Sequence, residues 1–170
     1  MNKMREIRIA KLTLNIGAGK DAGKLDKGLI LLEKLTGKKP TKTVTQKRIA
    51  GWGIRPGLPV GCKVTLRGKD ASDFLARLVY AKDNKIIAKN FDENGNISFG
   101  IPEYIDIKDA EYLPEIGITG LEAAITLERR GFRVKKRKLF NSRVGKHHKI
   151  TKQEAIDFMK SNFKVTVEGA

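Results

Sequence analysis

Leu12, Leu14 and Ile16 alternate with Lys11, Thr13 and Asn15, a period of two that predicts a strand over residues 7–16. One face of it is apolar, and the other carries a cation and an amide. Val60, Cys62, Val64 and Leu66 alternate with Gly61, Lys63, Thr65 and Arg67, which predicts a second strand at 60–67. On that face Cys62 is a small buried hydrophobe rather than a nucleophile. Ala123, Ile125 and Leu127 alternate with Ala124, Thr126 and Glu128 in a third strand at 123–128. Shorter strands are expected at 41–45, 97–101, 104–107 and 163–167.

Helical spacing takes over elsewhere. Leu25, Leu29, Leu32 and Leu35 define a helix that opens at Asp21 and stops at Gly37 and Pro40. Phe74, Leu75, Leu78 and Val79 define another, with Asp70 as its expected cap. Thr151 and Glu154 have the spacing of a capping box, before Ala155, Ile156, Phe158 and Met159 in a helix to about Ser161. With no internal repeat and no linker, the pattern predicts one α+β domain over 1–170. Its sheet is mainly antiparallel, with helices packed on one face. A long basic loop and a basic arm are added to it.

Charge changes the picture. The chain has 170 residues, 35 Lys+Arg and 19 Asp+Glu, a net charge of +16. That excess points to a polyanionic partner. It is unevenly spread. Residues 34–69 hold ten Lys/Arg and no acid, and so do residues 129–149, whereas 83–128 hold ten acids and three bases. Acid-free stretches are unusual on an ordinary solvated face, and phosphate neutralisation explains both with one cause. The acidic window is expected to face away from nucleic acid or towards a basic protein. Within the first basic window, 47–59 has three glycines and two prolines and reads as a mobile loop with few regular hydrogen bonds. Trp52 lies there beside Lys47, Arg48 and Arg55, either as a loop anchor or as a nucleic-acid contact. The arm at 129–149 is expected to become ordered by lying against RNA, using Arg133, Lys135, Lys136, Arg137, Lys138 and Arg143 on phosphates.

Catalytic chemistry finds little support. The strand-to-helix segment NIGAGKDAGK at 15–24 has Ala18 and Leu25 where a phosphate loop needs Gly and Ser/Thr. Ala22 stands where a dinucleotide fingerprint needs its third glycine. His147 and His148 are adjacent on the chain and chelate one metal poorly. No enzyme activity, cofactor or metal site is expected. No apolar run approaches the roughly 18 residues of a membrane span, so no membrane partner is expected either. The cations lie on strand faces, a loop and an arm rather than along one helix, which favours folded RNA over duplex DNA. The polar strand faces at Lys11, Thr13 and Asn15 and at Lys63, Thr65 and Arg67 lack aromatics. Shape and phosphate recognition therefore fit better than a base-stacking sheet.

The segments KLTLNIGAG at 11–19, TGKKP at 36–40, IAGWGIRPGLPVGCKVTLRG at 49–68 and FGIPEYIDI at 99–107 resemble the universal large-subunit ribosomal protein L five family. PEIGITG at 114–120, RRGFRVKKRK at 129–138 and GKHHKIT at 145–151 resemble its archaeal and eukaryotic branch. The resemblance implies a non-enzymatic, cytoplasmic constituent of the large ribosomal subunit. It implies attachment of 5S rRNA in the central protuberance and contact with the large rRNA. It also implies a bridge to small-subunit protein S thirteen, and a loop at 47–59 that approaches P-site tRNA. Lys11, Asn15 and Thr65 match family positions for 5S rRNA, and so does Lys38, where many members carry glutamine. A free RNA-binding regulator or chaperone acting off the ribosome is the competing reading.

Overall fold

The computed structural model describes residues 2–169. Its elements are β1 (Ile7–Gly17), α1 (Ala22–Thr36), β2 (Thr41–Val44), β3 (Pro59–Leu66), α2 (Lys69–Tyr80), β4 (Lys85–Ile87), β5 (Asn96–Ile101), β6 (Leu121–Arg129), α3 (Arg133–Lys136), α4 (Lys152–Phe163) and β7 (Thr166–Glu168). Five strands form one sheet in the order β2-β3-β1-β6-β5. Every neighbouring pair in it is antiparallel. Strands β4 and β7 form a separate parallel pair.

The alternation places the core. Leu14 lies opposite Val64 on β3 and Ala123 on β6, and Leu12 lies opposite Leu66 and Ile125. Ile97, Phe99 and Ile101 of β5 continue the same apolar face. Helices α1, α2 and α4 close over it, contributing Leu25, Leu31, Leu32, Leu75, Leu78, Ile156 and Met159 to one continuous core. Helix α1 approaches the sheet closely at Gly28, where a Cβ would lie 3.0 Å from Cys62 Sγ. Burial pushes the Cys62 thiol pKa up, so this side chain stays a neutral packing group.

The caps explain the helix boundaries. The Asp21 carboxylate accepts from the Gly23 and Lys24 amides, and Gly37 ends α1 in the left-handed conformation. Both halves of the capping box are made at Thr151 and Glu154. At α2 the cap position is Gly68, and Asp70 sits inside the first turn. Its carboxylate pairs with Lys38 instead, which corrects the expected cap. The expected strand at 104–107 is a 3₁₀ turn, Tyr104–Asp106. Tyr104 and Ile107 are both buried, three residues apart, so the spacing is that of a turn. The last strand begins at Thr166 because α4 carries on through Phe163.

Candidate nucleic-acid interface

The face of the sheet away from the helices is open and polar. Register arranges it in rows across the strands. One row runs Thr41, Lys63, Asn15, Glu122 and Gly100 across all five. The next holds Thr65, Thr13, Ala124 and Ser98, and a third holds Lys11, Thr126 and Asn96. Lys11 and Lys63 lie on neighbouring strands about 13 Å apart along the strand direction, at ~3.3 Å per residue. Small side chains fill the space between them, so a broad polyanion can approach without steric conflict. Arg67 is exposed one residue beyond β3. Lys38 stands apart: it follows the α1 cap, and its ammonium pairs with Asp70 on α2. The rows thus bring Lys11, Asn15, Lys63 and Thr65 together and leave Lys38 at the helix-side margin.

Carboxylates share this face. Glu122 accepts from Asn15 Nδ2 at 3.3 Å. Glu128 lies between Arg8 at 2.8 Å and Lys136 at 2.5 Å. Burial opposes ionisation of Glu128, but hydrogen bonds from Lys136 and Arg8 and their charges outweigh it, and the carboxyl titrates below its ordinary range. The expectation that the whole window 83–128 turns from the basic surface therefore fails at these two positions. It fails because strand β6 lies between β1 and β5, and alternation turns its even residues outward. The rest of the window differs. The connection from 102 to 120 packs on the helix side, where Arg77 donates to the Lys108 carbonyl at 2.6 and 2.9 Å. Glu103, Asp106, Asp109, Glu111 and Glu115 are exposed there.

The segment around 47–59 is a hairpin continuing β2 and β3, not a chain with few hydrogen bonds. Ile49 and Ile54 exchange backbone hydrogen bonds at 3.0 and 3.1 Å, and Thr45 N donates to the Leu58 carbonyl at 3.0 Å. Ile54 is the buried anchor, while Trp52 is 69% exposed at the tip. Lys47, Arg48 and Arg55 are exposed around it.

The second basic segment is tethered at its root. Arg129 is the last residue of β6 and is buried, with its guanidinium 2.6 Å from Glu154. The ring nitrogen of His148 meets the Arg130 carbonyl at 2.7 Å. Lys136, through Glu128, ties the short helix α3 to the open face. Arg133, Lys135, Arg137, Lys138 and Arg143 are all exposed. Between this arm and the far end of the open face lies a cleft of 840 Å³, lined by Asn96, Thr126, Lys135, Arg143 and Lys149 among others. A groove of 510 Å³ lies on the same face against residues 82–90, with Thr13, Asn15, Ser98, Lys82 and Lys85 in its lining.

Sequence reasoning missed Arg8, Glu122 and the wall at Lys82 and Lys85, and it placed Glu128 on the polar side of its strand without its partners Arg8 and Lys136. Glu122 follows from the same alternation once β6 is extended to Leu121. Arg8 was hidden by the bulge between Ile9 and Lys11, which shifts the register on β1.

Two family descriptions match the chain: "Ribosomal protein L5" over residues 2–55, and the C-terminus of the same ribosomal protein family over residues 59–158. Among curated relatives, the large ribosomal subunit protein uL5 of Nanoarchaeum equitans is 50% identical over 165 residues, covering 96% of this chain and 97% of the relative. The protein of that name from Sulfurisphaera tokodaii is 46% identical over 168 residues, covering 98% and 95%. That from Thermoplasma volcanium is 46% identical over 168 residues, covering 98% and 99%.

Proposed function

The chain belongs to the ribosomal protein L5 family, a structural and non-enzymatic constituent of the cytoplasmic large ribosomal subunit, and we propose that it holds 5S rRNA against the open face of its sheet. The observation that carries this reading is the row geometry. Lys11, Asn15, Lys63 and Thr65 stand on adjacent strands among small polar neighbours. Two cations supply phosphate attraction, and the amide and hydroxyl supply hydrogen bonds to ribose or base edges. Lys38 and Arg67 extend the same contact at the margin. The absence of aromatics from this face suits recognition of an RNA surface by shape.

The other basic elements serve other partners in this reading. The arm, with Arg133, Lys135, Lys136, Arg137, Lys138 and Arg143, lies on large-subunit rRNA. The hairpin tip with Lys47, Arg48, Trp52 and Arg55 faces P-site tRNA. The acidic connection at 102–120 is left for a basic protein, for which small-subunit protein S thirteen is the candidate.

Binding of 5S rRNA to the intact chain and to a double Asn15→Ala, Thr65→Ala variant tests the central part. Weaker binding with the thermal transition in place is the expected result. Equal affinity would remove the open face from the 5S contact. Co-sedimentation with large subunits through a high-salt wash separates a ribosomal constituent from a free RNA-binding regulator.

A further inference from the structure

We propose that Phe140 is a stacking platform for an unpaired nucleobase of the RNA bound by the arm, an inference that rests on the arm lying against rRNA. Phe140 is 87% exposed and Leu139 beside it is 71% exposed. An aromatic ring left this far in water gains nothing from the fold. Its backbone is left-handed, at φ 52, which is uncommon for a bulky residue. The surrounding turn is nevertheless well tied. Arg137 Nε donates to the Phe140 carbonyl at 2.7 Å, and Asn141 Nδ2 donates to the Lys135 carbonyl at 2.8 Å. The Ser142 amide donates to the Val134 carbonyl at 3.2 Å. Three bonds across the turn thus hold the ring out from an ordered base.

The chemistry around it selects the occupant. Arg137, Lys138 and Arg143 lie within three residues of Phe140 in sequence, and residues 129–149 hold no carboxylate. A polyanion with flat apolar groups complements that surface. Phenylalanine has no hydrogen-bonding group, so it reads no base identity, but its face stacks on any base. Bases in a duplex are already stacked, and the A-form major groove is too deep and narrow for side chains to read. The target is therefore a base in a loop, bulge or end. The aromatic-free open face of the sheet and the ring-bearing arm then divide the work: one contacts shape and phosphate, the other an unstacked base.

The test uses the full chain and two RNA probes, a hairpin with 2-aminopurine in an unpaired loop and a blunt duplex with the same number of phosphates. Phe140→Ala and Phe140→Leu are expected to weaken hairpin binding about five- to 160-fold, the range for losing one base–aromatic stack. Duplex binding and the salt slope are expected to stay the same, because no cation is removed. Phe140→Tyr is expected to bind like the parent, and the parent but not Phe140→Ala is expected to quench 2-aminopurine. A Phe140→Leu variant as tight as the parent would overturn the proposal, since apolarity without a ring would then suffice. Equal loss on hairpin and duplex would overturn it too. So would unchanged RNA affinity with loss of retention on the large subunit, which would make the tip a protein contact. A variant neutralising Arg133, Lys135, Arg137, Lys138 and Arg143 keeps the underlying reading separate. If its salt slope matches the parent, the arm does not bind RNA and both ideas fall; if only the Phe140 variants are silent, the stacking idea falls alone.

Discussion

The two faces of the five-stranded sheet are made by the same strands and differ in every other residue. On one, Leu12, Leu14, Ile16, Cys62, Val64 and Leu66 are nearly inaccessible beneath the helices. On the other, Lys11, Thr13, Asn15, Lys63 and Thr65 share rows with Glu122, Ala124 and Thr126. A period of two separates stability from binding at single-residue resolution. Neighbours such as Asn15 and Ile16 touch different worlds, so one strand can be held rigid by its apolar side while its polar side stays free to vary.

The largest effect expected from breaking this division lies on the buried face. Leu14→Ala should cost about 2–5 kcal/mol in denaturant unfolding, because transfer and cavity terms add. The folded fraction should keep its RNA affinity. Next comes the arm. Neutralising five of its exposed cations, Arg133, Lys135, Arg137, Lys138 and Arg143, should flatten log K against log salt by about 3.5–4.5, at 0.7–0.9 per phosphate. Fluorescence titration across a salt series reads this directly. Smaller again is the open face: Lys11→Ala with Lys63→Ala should lower the slope by about 1.4–1.8. Its unfolding free energy should move by no more than about 0.5 kcal/mol per site, as for ordinary surface positions. A large loss of stability there would erase the distinction between the faces.

Acid provides the subtlest test, because it loosens the arm without touching the core. Burial opposes the charge on Glu128 and on Glu154, but their hydrogen bonds and cationic partners prevail and lower both pKa values. A lowered native pKa means that the unfolded or undocked state takes up protons first. The stabilisation is complete above the ordinary glutamate value of 4.5 and is lost as the pH falls through the lowered native values. Hydrogen exchange at residues 130–149 should therefore quicken below that value while β1 and β3 amides stay protected. Glu128→Gln should remove part of this pH dependence.

How much of this was legible in the sequence follows from the range of the forces involved. Alternation on β1, β3 and β6 was readable because each residue's environment depends on its own side chain and the pleat. Caps at Asp21 and at Thr151 with Glu154 were readable because their partners lie within three residues. The three-residue strand β4 left no periodic trace, and it pairs with β7 some eighty residues away. The 3₁₀ turn at Tyr104 was hidden because its hydroxyl is satisfied by the Leu113 amide, a contact made only on folding. The candidate interface divides in the same way. Polar strand faces were evident, but the tether of the arm depends on Arg129 meeting Glu154 and His148 meeting the Arg130 carbonyl, contacts 25 and 18 residues apart in sequence. The hairpin at 49–54 did have a local signal, since Ile49 and Ile54 flank a tight AGWG turn.

The most direct measurement is lysine labelling of the full chain with an amine-reactive reagent, with and without 5S rRNA. Lys11 and Lys63 on the open face should lose reactivity when the RNA binds, while Lys108, on the helix side among the acids, should label as before. Protection of Lys108 with Lys11 and Lys63 still reactive would contradict the assignment of the open face to 5S rRNA.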